Sequence, residues 1–244
     1  MGQGNPSMGW DQFRKLKASQ KALHLQAGKD RFSSFLYAQQ IDRPKLEFLI
    51  DLAEYVRGRR DDIDSSRYIR TLLNTRSCAL YFPQCSTRTF TSFSLAAQSV
   101  GMMVEEIRDT QISAMYKGES ELDTLITLAT VFDFLIIRQM DAELTERIAF
   151  ECLQRGLETR IINAGSGAEQ HPTQSILDMY TLAAHTHLRE DADISVAFVG
   201  DLKRSRTARS LAYLLALYPS VTQVFVAPEE LQLSLIHISE PTRH

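Results

Sequence analysis

Residues 78–89 read Cys-Ala-Leu-Tyr-Phe-Pro-Gln-Cys-Ser-Thr-Arg-Thr, and this stretch predicts the fold around it. The first five residues are apolar, as in a buried strand, and residues 91–100 carry apolar side chains at helical spacing. Ser86 or Thr87 would then lie near a helix N-cap. There the unpaired N–H groups and the helix dipole favour an anion, and Arg88 adds a bidentate donor. The stretch therefore predicts either a phosphate site formed by Ser86, Thr87, Arg88 and Thr89 or a plain helix cap.

Strand and helix patterns alternate along the rest of the chain. The strand candidates cover residues 78–83, 102–107, 133–138, 158–162, 194–199 and 222–227. The helix candidates cover residues 88–100, 119–131, 142–155, 173–186 and 205–217, and an earlier amphipathic helix begins at Pro44. Such alternation predicts parallel sheets covered by helices on both faces. We expect an α/β protein with two doubly wound parallel-sheet domains, the second of them incomplete.

The chain divides into four predicted parts. Residues 1–34 are polar and form an N-terminal extension of uncertain order, residues 35–185 form the first domain, and residues 186–232 begin the second. A polar stretch at 187–193 is a loop or the boundary between the domains, and the helix that starts at Thr173 would bridge them. Residues 233–244 resemble the in-frame translation of a sequencing-library adapter, so we expect a non-native tail rather than a genuine short strand.

Composition excludes several classes of protein. A hydrophobic fraction of 44%, a charged fraction of 23% and a net charge of -3 are ordinary for a soluble enzyme, and no basic stripe indicates a nucleic-acid partner. Three cysteines without CxxC spacing favour a reducing, cytoplasmic location. The N-terminus lacks a signal-peptide core, and no apolar run approaches the roughly 20 residues that span a bilayer. We therefore expect no membrane partner.

Polar residues follow several strand candidates, and ligands of open α/β sheets bind at the carboxyl ends of strands. Arg138 closes one apolar run; alternatively it pairs with Asp133 or Asp141. A glycine-bearing loop then ends in His171, Pro172 at a helix start, and Gln174. The spacing lets His171 and Gln174 face one crevice and donate to a carbonyl oxygen, although a histidine beside proline is often a structural cap.

Two further segments carry basic residues. A polar loop at 109–119 holds Lys117, which either completes an anionic site as part of a mobile lid or is a solvated lysine at a helix start. The stretch Gly200-Asp201-Leu202 leads into three basic residues, of which Arg206 is the last, near a helix start. It lacks the GxGxxG spacing of dinucleotide sites, so it predicts a site for a small anion or a solvated basic turn.

These motifs together resemble the transcarbamoylases, and within them the catalytic chains of the aspartate branch. The resemblance covers residues 36–232 and rests on Ser86-Thr87-Arg88-Thr89, Arg138, His171-Pro172-Thr173-Gln174 and Gly200-Asp201-Leu202, in that order. The His171–Gln174 element is shared with the ornithine branch. The residues Asn163-Ala164-Gly165 and Arg206-Thr207 are similar to the aspartate branch.

The resemblance implies a role for each motif. Ser86, Thr87, Arg88 and Thr89 would bind the phosphate of carbamoyl phosphate, and Arg138, His171 and Gln174 would polarise its carbonyl oxygen. Arg206 would bind a carboxylate of L-aspartate, the second substrate. Ser113 and Lys117 match a loop that enters a neighbouring subunit's site, which implies a homotrimer with shared sites and, in some members, a regulatory chain. The implied reaction belongs to pyrimidine biosynthesis and needs no metal and no other cofactor.

The sequence also departs from the family pattern. Phe90 stands where the family usually has arginine, Gln84 where an acidic residue is common, and Ser166 where aspartate is common. The aspartate-binding residues that the family carries later in its sequence are absent, so we expect the chain as given to turn over poorly. Two alternatives stay open: a carbamoyltransferase for ornithine or a related amine, and a regulatory or scaffold subunit with weakened catalysis.

Overall fold

A four-stranded parallel sheet lies at the centre of the first part of the chain. The computed structural model describes residues 8–25, 33–83, 86–108, 120–166 and 170–233. The strands of the first sheet are β1 (Ser77–Tyr81), β2 (Met103–Ile107), β3 (Phe134–Ile137) and β4 (Arg160–Asn163), in the spatial order β2-β1-β3-β4. Every neighbouring pair is parallel, so all four carboxyl ends meet at one edge. The predicted α/β class is confirmed.

Helices connect the strands and cover both faces of the sheet. The helices are α1 (Trp10–Phe13), α2 (Ala18–His24), α3 (Arg43–Gly58), α4 (Ile63–Ile69), α5 (Thr87–Ser99), α6 (Glu121–Val131), α7 (Ala142–Gln154), α8 (Pro172–His185) and α9 (Arg206–Leu215). One face of the sheet packs on α6 and α7, and the other packs on α5. The central strands β1 and β3 are covered on both faces and are therefore continuous apolar runs in the sequence, which made them easy to predict.

The predicted strands and helices lie within two residues of their observed bounds; the strand predicted at 158–162, for example, is observed at Arg160–Asn163. Helix α4 was not predicted. It begins where the Asp62 carboxylate accepts a hydrogen bond from the backbone N–H of Ser65, at 2.8 Å.

The described part of the N-terminal segment packs against the first domain. Phe13 and Leu25 are fully buried in the same core as α6 and α7. The Lys21 Nζ atom lies 2.6 Å from an Oε atom of Glu146 on α7, and the Tyr37 hydroxyl donates to the other oxygen at 2.7 Å. Residues 8–25 are therefore ordered against the domain, although their composition predicted uncertain order.

The second sheet pairs β5 (Ile194–Val199) with β6 (Val221–Val226) in parallel. One face packs on α9, within a core that also includes α3 and α8. Side chains on the opposite face stay exposed, with Val199 at 74% and Val226 at 49%. Helix α8 follows the loop after β4 and contributes Met179 to this second core, and its role as a bridge between two domains stays a prediction.

Candidate active site

Three predicted site residues meet around Gly165, in the loop after β4. A methyl group built on Gly165 would lie 3.1 Å from Arg138 Nη1, 3.1 Å from His171 Cδ2 and 3.3 Å from Arg206 Cζ. The φ angle of Gly165 is +113°, a value that side chains other than glycine rarely adopt. The backbone therefore approaches all three side chains closely because no Cβ intervenes. Residues from two predicted domains converge at this point.

Arg138 lies just beyond β3 and joins neighbouring elements of the site. Its Nη1 atom donates to Thr89 Oγ1 on α5 and to the carbonyl oxygen of Ala164, both at 3.4 Å. Its buried Nε atom has no hydrogen-bond partner among the described residues. A buried donor without a partner is rare in folded proteins and suits a ligand site.

The alternative pairing of Arg138 with a nearby carboxylate is wrong. Asp133 lies 2.7 Å from Arg76 Nη1 and accepts a second hydrogen bond from the backbone N–H of Ser77. Asp141 caps α7 by accepting from the backbone N–H of Glu143. Arg138 therefore points into the crevice rather than into a structural ion pair.

Burial and like charge shape the electrostatics of this cluster. Burial, together with the positive charge of Arg206, lowers the pKa of Arg138, and burial lowers the pKa of Arg206 as well. The same two arginines and, above all, burial lower the pKa of His171 to about 4. His171 is thus a neutral imidazole near pH 7, and the two guanidinium groups repel each other until an anion lies between them.

Hydrogen bonds fix the loop that carries Gly165 and His171. The Asn163 side chain accepts from the backbone N–H of Gly165 at 2.8 Å and donates to Ser166 Oγ at 2.9 Å. The backbone N–H of His171 donates to Ser210 Oγ on α9 at 3.1 Å. Ser166, where the family commonly has aspartate, is a buried member of this network, so the departure is structural.

The predicted phosphate element lies at the start of α5. Ser86 is the N-cap, but its side chain makes no capping hydrogen bond, and Thr87, Arg88 and Thr89 form the first turn. Ser86 and Thr89 are half-buried, while Thr87 and Arg88 are exposed. A helix start whose cap hydroxyl does not satisfy its N–H groups keeps donors for an anion. Thr89 connects this element to the cluster through Arg138.

Phe90 occupies the position where the family usually has arginine, and it is a core residue here. It is 5% exposed and meets Phe82 edge to face, with ring centroids 5.3 Å apart. The Arg108 guanidinium, which follows β2, lies 3.5 Å from the centroid of the Phe90 ring. A positive charge therefore lies beside α5 although position 90 is neutral. No local pattern indicates this contact, because it joins two separate elements.

The remaining predicted site residues are Gln174, which the structure describes, and the loop residues Ser113 and Lys117, which it does not. Gln174, on the first turn of α8, donates from Nε2 to Asp178 Oδ1 at 2.8 Å. Asp178 was not predicted, although its spacing of four residues from Gln174 on one helix is a detectable signal. Ser113, Lys117 and Gln84 lie outside the described residues.

The basic turn before α9 divides into two parts. Lys203 and Arg204 are exposed, and Arg204 lies 3.4 Å from Asp201, as in a solvated turn. Arg206 alone of the three reaches Gly165. It is the first residue of α9, whose N-cap is Ser205.

The described part of the chain offers neither a metal cluster nor a reactive thiol. Among these residues no three His, Cys, Asp or Glu side chains are grouped to hold a metal ion. Burial raises the pKa of both Cys78 and Cys152 to about 12, so neither is a nucleophile near pH 7. None of the helices described is long and apolar enough to span a membrane.

Comparison with known proteins gives consistent matches. Residues 33–184 match the family model for the carbamoyl-P binding domain of aspartate/ornithine carbamoyltransferases. The aspartate carbamoyltransferase catalytic subunit of Methanocaldococcus jannaschii is 39% identical over 180 residues, which are 70% of this chain and 56% of that protein. The chloroplastic aspartate carbamoyltransferase of Arabidopsis thaliana is 34% identical over 82% of this chain and 49% of its own length.

A solved structure supports the same relationship. The aspartate transcarbamoylase of Trypanosoma cruzi, in complex with carbamoyl phosphate and aspartate, superposes with a TM-score of 0.71 at 34% identity. The alignment covers 84% of this chain and 60% of that one. The matched part of the chain thus covers about half to three fifths of the length of these relatives.

Proposed function

Because the chain belongs to the aspartate/ornithine carbamoyltransferase family, we propose that it transfers the carbamoyl group of carbamoyl phosphate to the amine of L-aspartate. The products are N-carbamoyl-L-aspartate and phosphate. The observation that carries the proposal is the meeting of Arg138, His171 and Arg206 around Gly165, next to the start of α5. This arrangement provides a cationic, donor-rich crevice for a substrate with a phosphate and a carbonyl group.

Each group has a role that suits its surroundings. In the reaction the aspartate nitrogen bonds to the carbamoyl carbon, and charge grows on the carbonyl oxygen. The bond from carbon to the phosphate oxygen then breaks, and the proton lost by the amine passes to the departing phosphate. Arg138 and the neutral His171 donate to the carbonyl oxygen, and such donors are worth about 10²-fold to 10³-fold each in rate. Ser86, Thr87, Arg88 and Thr89 bind the phosphate at the start of α5.

Arg206 is proposed to bind a carboxylate of aspartate. It lies across Gly165 from Arg138, on the helix that begins the second domain, so it can hold the second substrate beside the first. Holding both substrates in one crevice supplies a large share of the acceleration in such reactions. Aspartate is favoured over ornithine because the relatives described above are named for aspartate.

Several properties stay predictions from the resemblance. They are a homotrimer in which Ser113 and Lys117 complete a neighbour's site, a regulatory chain, a place in pyrimidine biosynthesis, and a cytoplasmic location. The division of the chain into an N-terminal extension, two domains and a non-native tail also stays a prediction. The chain matches only part of its relatives, so the tests of turnover use the product of the complete gene.

The proposed activity is tested by measuring carbamoyl aspartate formation from carbamoyl phosphate and aspartate. The wild-type product should form carbamoyl aspartate, and Arg138→Met should lower kcat/KM by about 10²-fold or more because a donor to the carbonyl oxygen is lost. Arg204→Met is the matched control, since Arg204 is exposed and pairs with Asp201. Absence of product at saturating aspartate would refute the proposal. A preference for ornithine in a competition assay would show that ornithine, and not aspartate, is the amine substrate.

A binding experiment separates the enzyme from a scaffold subunit. The stable analogue phosphonoacetamide should bind the chain in calorimetry, and Arg88→Ala should weaken that binding by about tenfold, the value of one charge-assisted hydrogen bond. Equal binding by both proteins would favour the scaffold alternative.

A further inference from the structure

The peptide group between Ala164 and Gly165 is held from both sides by side chains. Its N–H donates to Asn163 Oδ1 at 2.8 Å. Its carbonyl oxygen accepts from Arg138 Nη1 at 3.4 Å. A trans peptide is planar, and its N–H and C=O point in opposite directions. Fixing the direction of the N–H therefore also fixes the direction of the carbonyl oxygen that Arg138 contacts.

The backbone at this point permits two orientations of the peptide. The N–H of Ala164 still donates to the carbonyl oxygen of Ile137 at 2.8 Å, but the peptide that follows lies beyond the last paired residues of β3 and β4. Gly165 has no Cβ and adopts φ of either sign at little cost. Without a partner for its N–H, the peptide could turn over and present that N–H to the Arg138 guanidinium. Two donors form no hydrogen bond, so Arg138 would lose this contact.

The surroundings of Asn163 determine which end of its amide faces the peptide. Asn163 is buried, and its Nδ2 atom donates to the carbonyl oxygen of Leu36 at 3.1 Å and to Ser166 Oγ at 2.9 Å. The Leu36 carbonyl group only accepts hydrogen bonds, so it must face the nitrogen of the amide. The oxygen of the amide is thus directed at the N–H of Gly165.

We propose that Asn163 is a positioning residue that directs the carbonyl oxygen of Ala164 toward Arg138 and so holds the guanidinium in place for the carbonyl oxygen of the carbamoyl substrate. This inference rests on the proposed function and extends it to a residue that acts through another side chain. Arg138 needs such support, because Arg206 repels it across Gly165 and its Nε atom has no hydrogen-bond partner among the described residues.

Two ligands that share a phosphonate group separate this role from a general effect on the site. Phosphonoacetamide carries a carbonyl oxygen for Arg138 to contact, and methylphosphonate carries none. In calorimetry the 244-residue chain should bind phosphonoacetamide at least about tenfold more tightly, because it gains a hydrogen bond to a charged donor. The ratio of the two affinities therefore reports on the position of Arg138.

Asn163→Leu is the main variant, because leucine fills the volume of asparagine without an acceptor oxygen. The ratio should fall to about threefold or less, because Arg138 loses the contact that holds it. Asn163→Ala tests the same point if the leucine variant does not fold. Asn163→Asp keeps an oxygen for the N–H of Gly165, so it should keep the wild-type ratio even where it lowers stability. In an Arg138→Met background Asn163→Leu should change the ratio no further, since Asn163 acts through Arg138.

Ser166→Ala is the matched control, because it removes a different hydrogen bond of the Asn163 amide and leaves the one to Gly165. It should keep the wild-type ratio. An unchanged ratio in Asn163→Leu, or an equal fall in Ser166→Ala, would overturn the positioning role, and so would a wild-type ratio near one. Failure of the wild-type chain to bind either ligand would instead refute the proposed function, and this inference with it.

Discussion

Substituting Gly165 by alanine tests the convergence on which the site depends. The new methyl group would lie 3.1 Å from Arg138, 3.1 Å from His171 and 3.3 Å from Arg206. Favourable carbon contacts begin near 3.5 Å, so each neighbour must retreat by a few tenths of an ångström. One small substitution would thus displace both donors that we propose for the carbonyl oxygen, Arg138 and His171, together with Arg206.

The expected loss follows from the hydrogen bonds involved. A hydrogen bond to a charged group contributes about 1.5–3 kcal/mol, so loss of even one lowers the affinity for phosphonoacetamide by at least about tenfold. Alanine at a positive φ also costs about 1–2 kcal/mol in the free energy of unfolding. Calorimetry measures the first effect, and urea denaturation measures the second.

Gly156→Ala separates the two effects. Gly156 also has a positive φ, +66°, but a Cβ there would have no atom within 4 Å. This variant should lose about 1 kcal/mol of stability and bind phosphonoacetamide as the wild type does. If Gly165→Ala lost stability but kept wild-type affinity, the ligand would not lie among these three side chains, and our assignment of the site would be wrong.

Other predictions concern charge and burial. Arg138→Met should lower the affinity for phosphonoacetamide by about 10²-fold. It should leave the thermal unfolding midpoint unchanged or raised, because burial and the charge of Arg206 destabilise the charged form of Arg138. A lower midpoint with intact affinity would contradict this prediction. Glu146→Ala should lower the free energy of unfolding, measured by urea denaturation, by about 3 kcal/mol, because it breaks a buried ion pair with Lys21. Glu143→Ala on the same helix should lower it by less than about 1 kcal/mol, because the ion pair with Arg14 is exposed. Equal losses would contradict the burial of the Glu146 pair. In an NMR titration His171 should stay neutral down to about pH 4. Because folding lowers the pKa of His171, the unfolded chain takes up this proton at a higher pH than the folded chain does. The contribution of His171 should therefore lower the free energy of unfolding as the pH falls from about 6.5 to about 4. A measured pKa near 6.5 would refute its burial among the arginines.

The order of strands and helices along the chain could be predicted, because the patterns that indicate them involve only neighbouring residues. Continuous apolar runs identify strands that are covered on both faces, and helical spacing identifies the connections between them. Pro172 was predicted at the first position of α8 and is found there, and the N-cap of α5, predicted at Ser86 or Thr87, is Ser86. The N-terminal segment was harder, because its burial depends on the distant Glu146, which no local pattern reveals.

The sequence could predict which residues belong to the candidate site, but not how they are arranged. The rule that ligands lie beyond the carboxyl ends of parallel strands selected Arg138 and His171. Neither their shared contact with Gly165 nor the hydrogen bond from Gln174 to Asp178 could be predicted, because each depends on side-chain direction. The place of Phe90 was also open, since only packing shows that it contacts Phe82 and lies under Arg108.

The sequence by itself determined which chemistry is present: hydroxyl groups around an arginine at a helix start, and basic or amide side chains after successive strands. Periodicity and helix-start preferences are short-range effects, so neighbouring residues are enough to reveal them. The tertiary structure decided which of these groups meet. Gly165 approaches three side chains from three elements because it lacks a Cβ and its backbone adopts a positive φ. Burial of those side chains together, which only the folded chain provides, keeps His171 neutral and leaves two guanidinium groups that an anion stabilises.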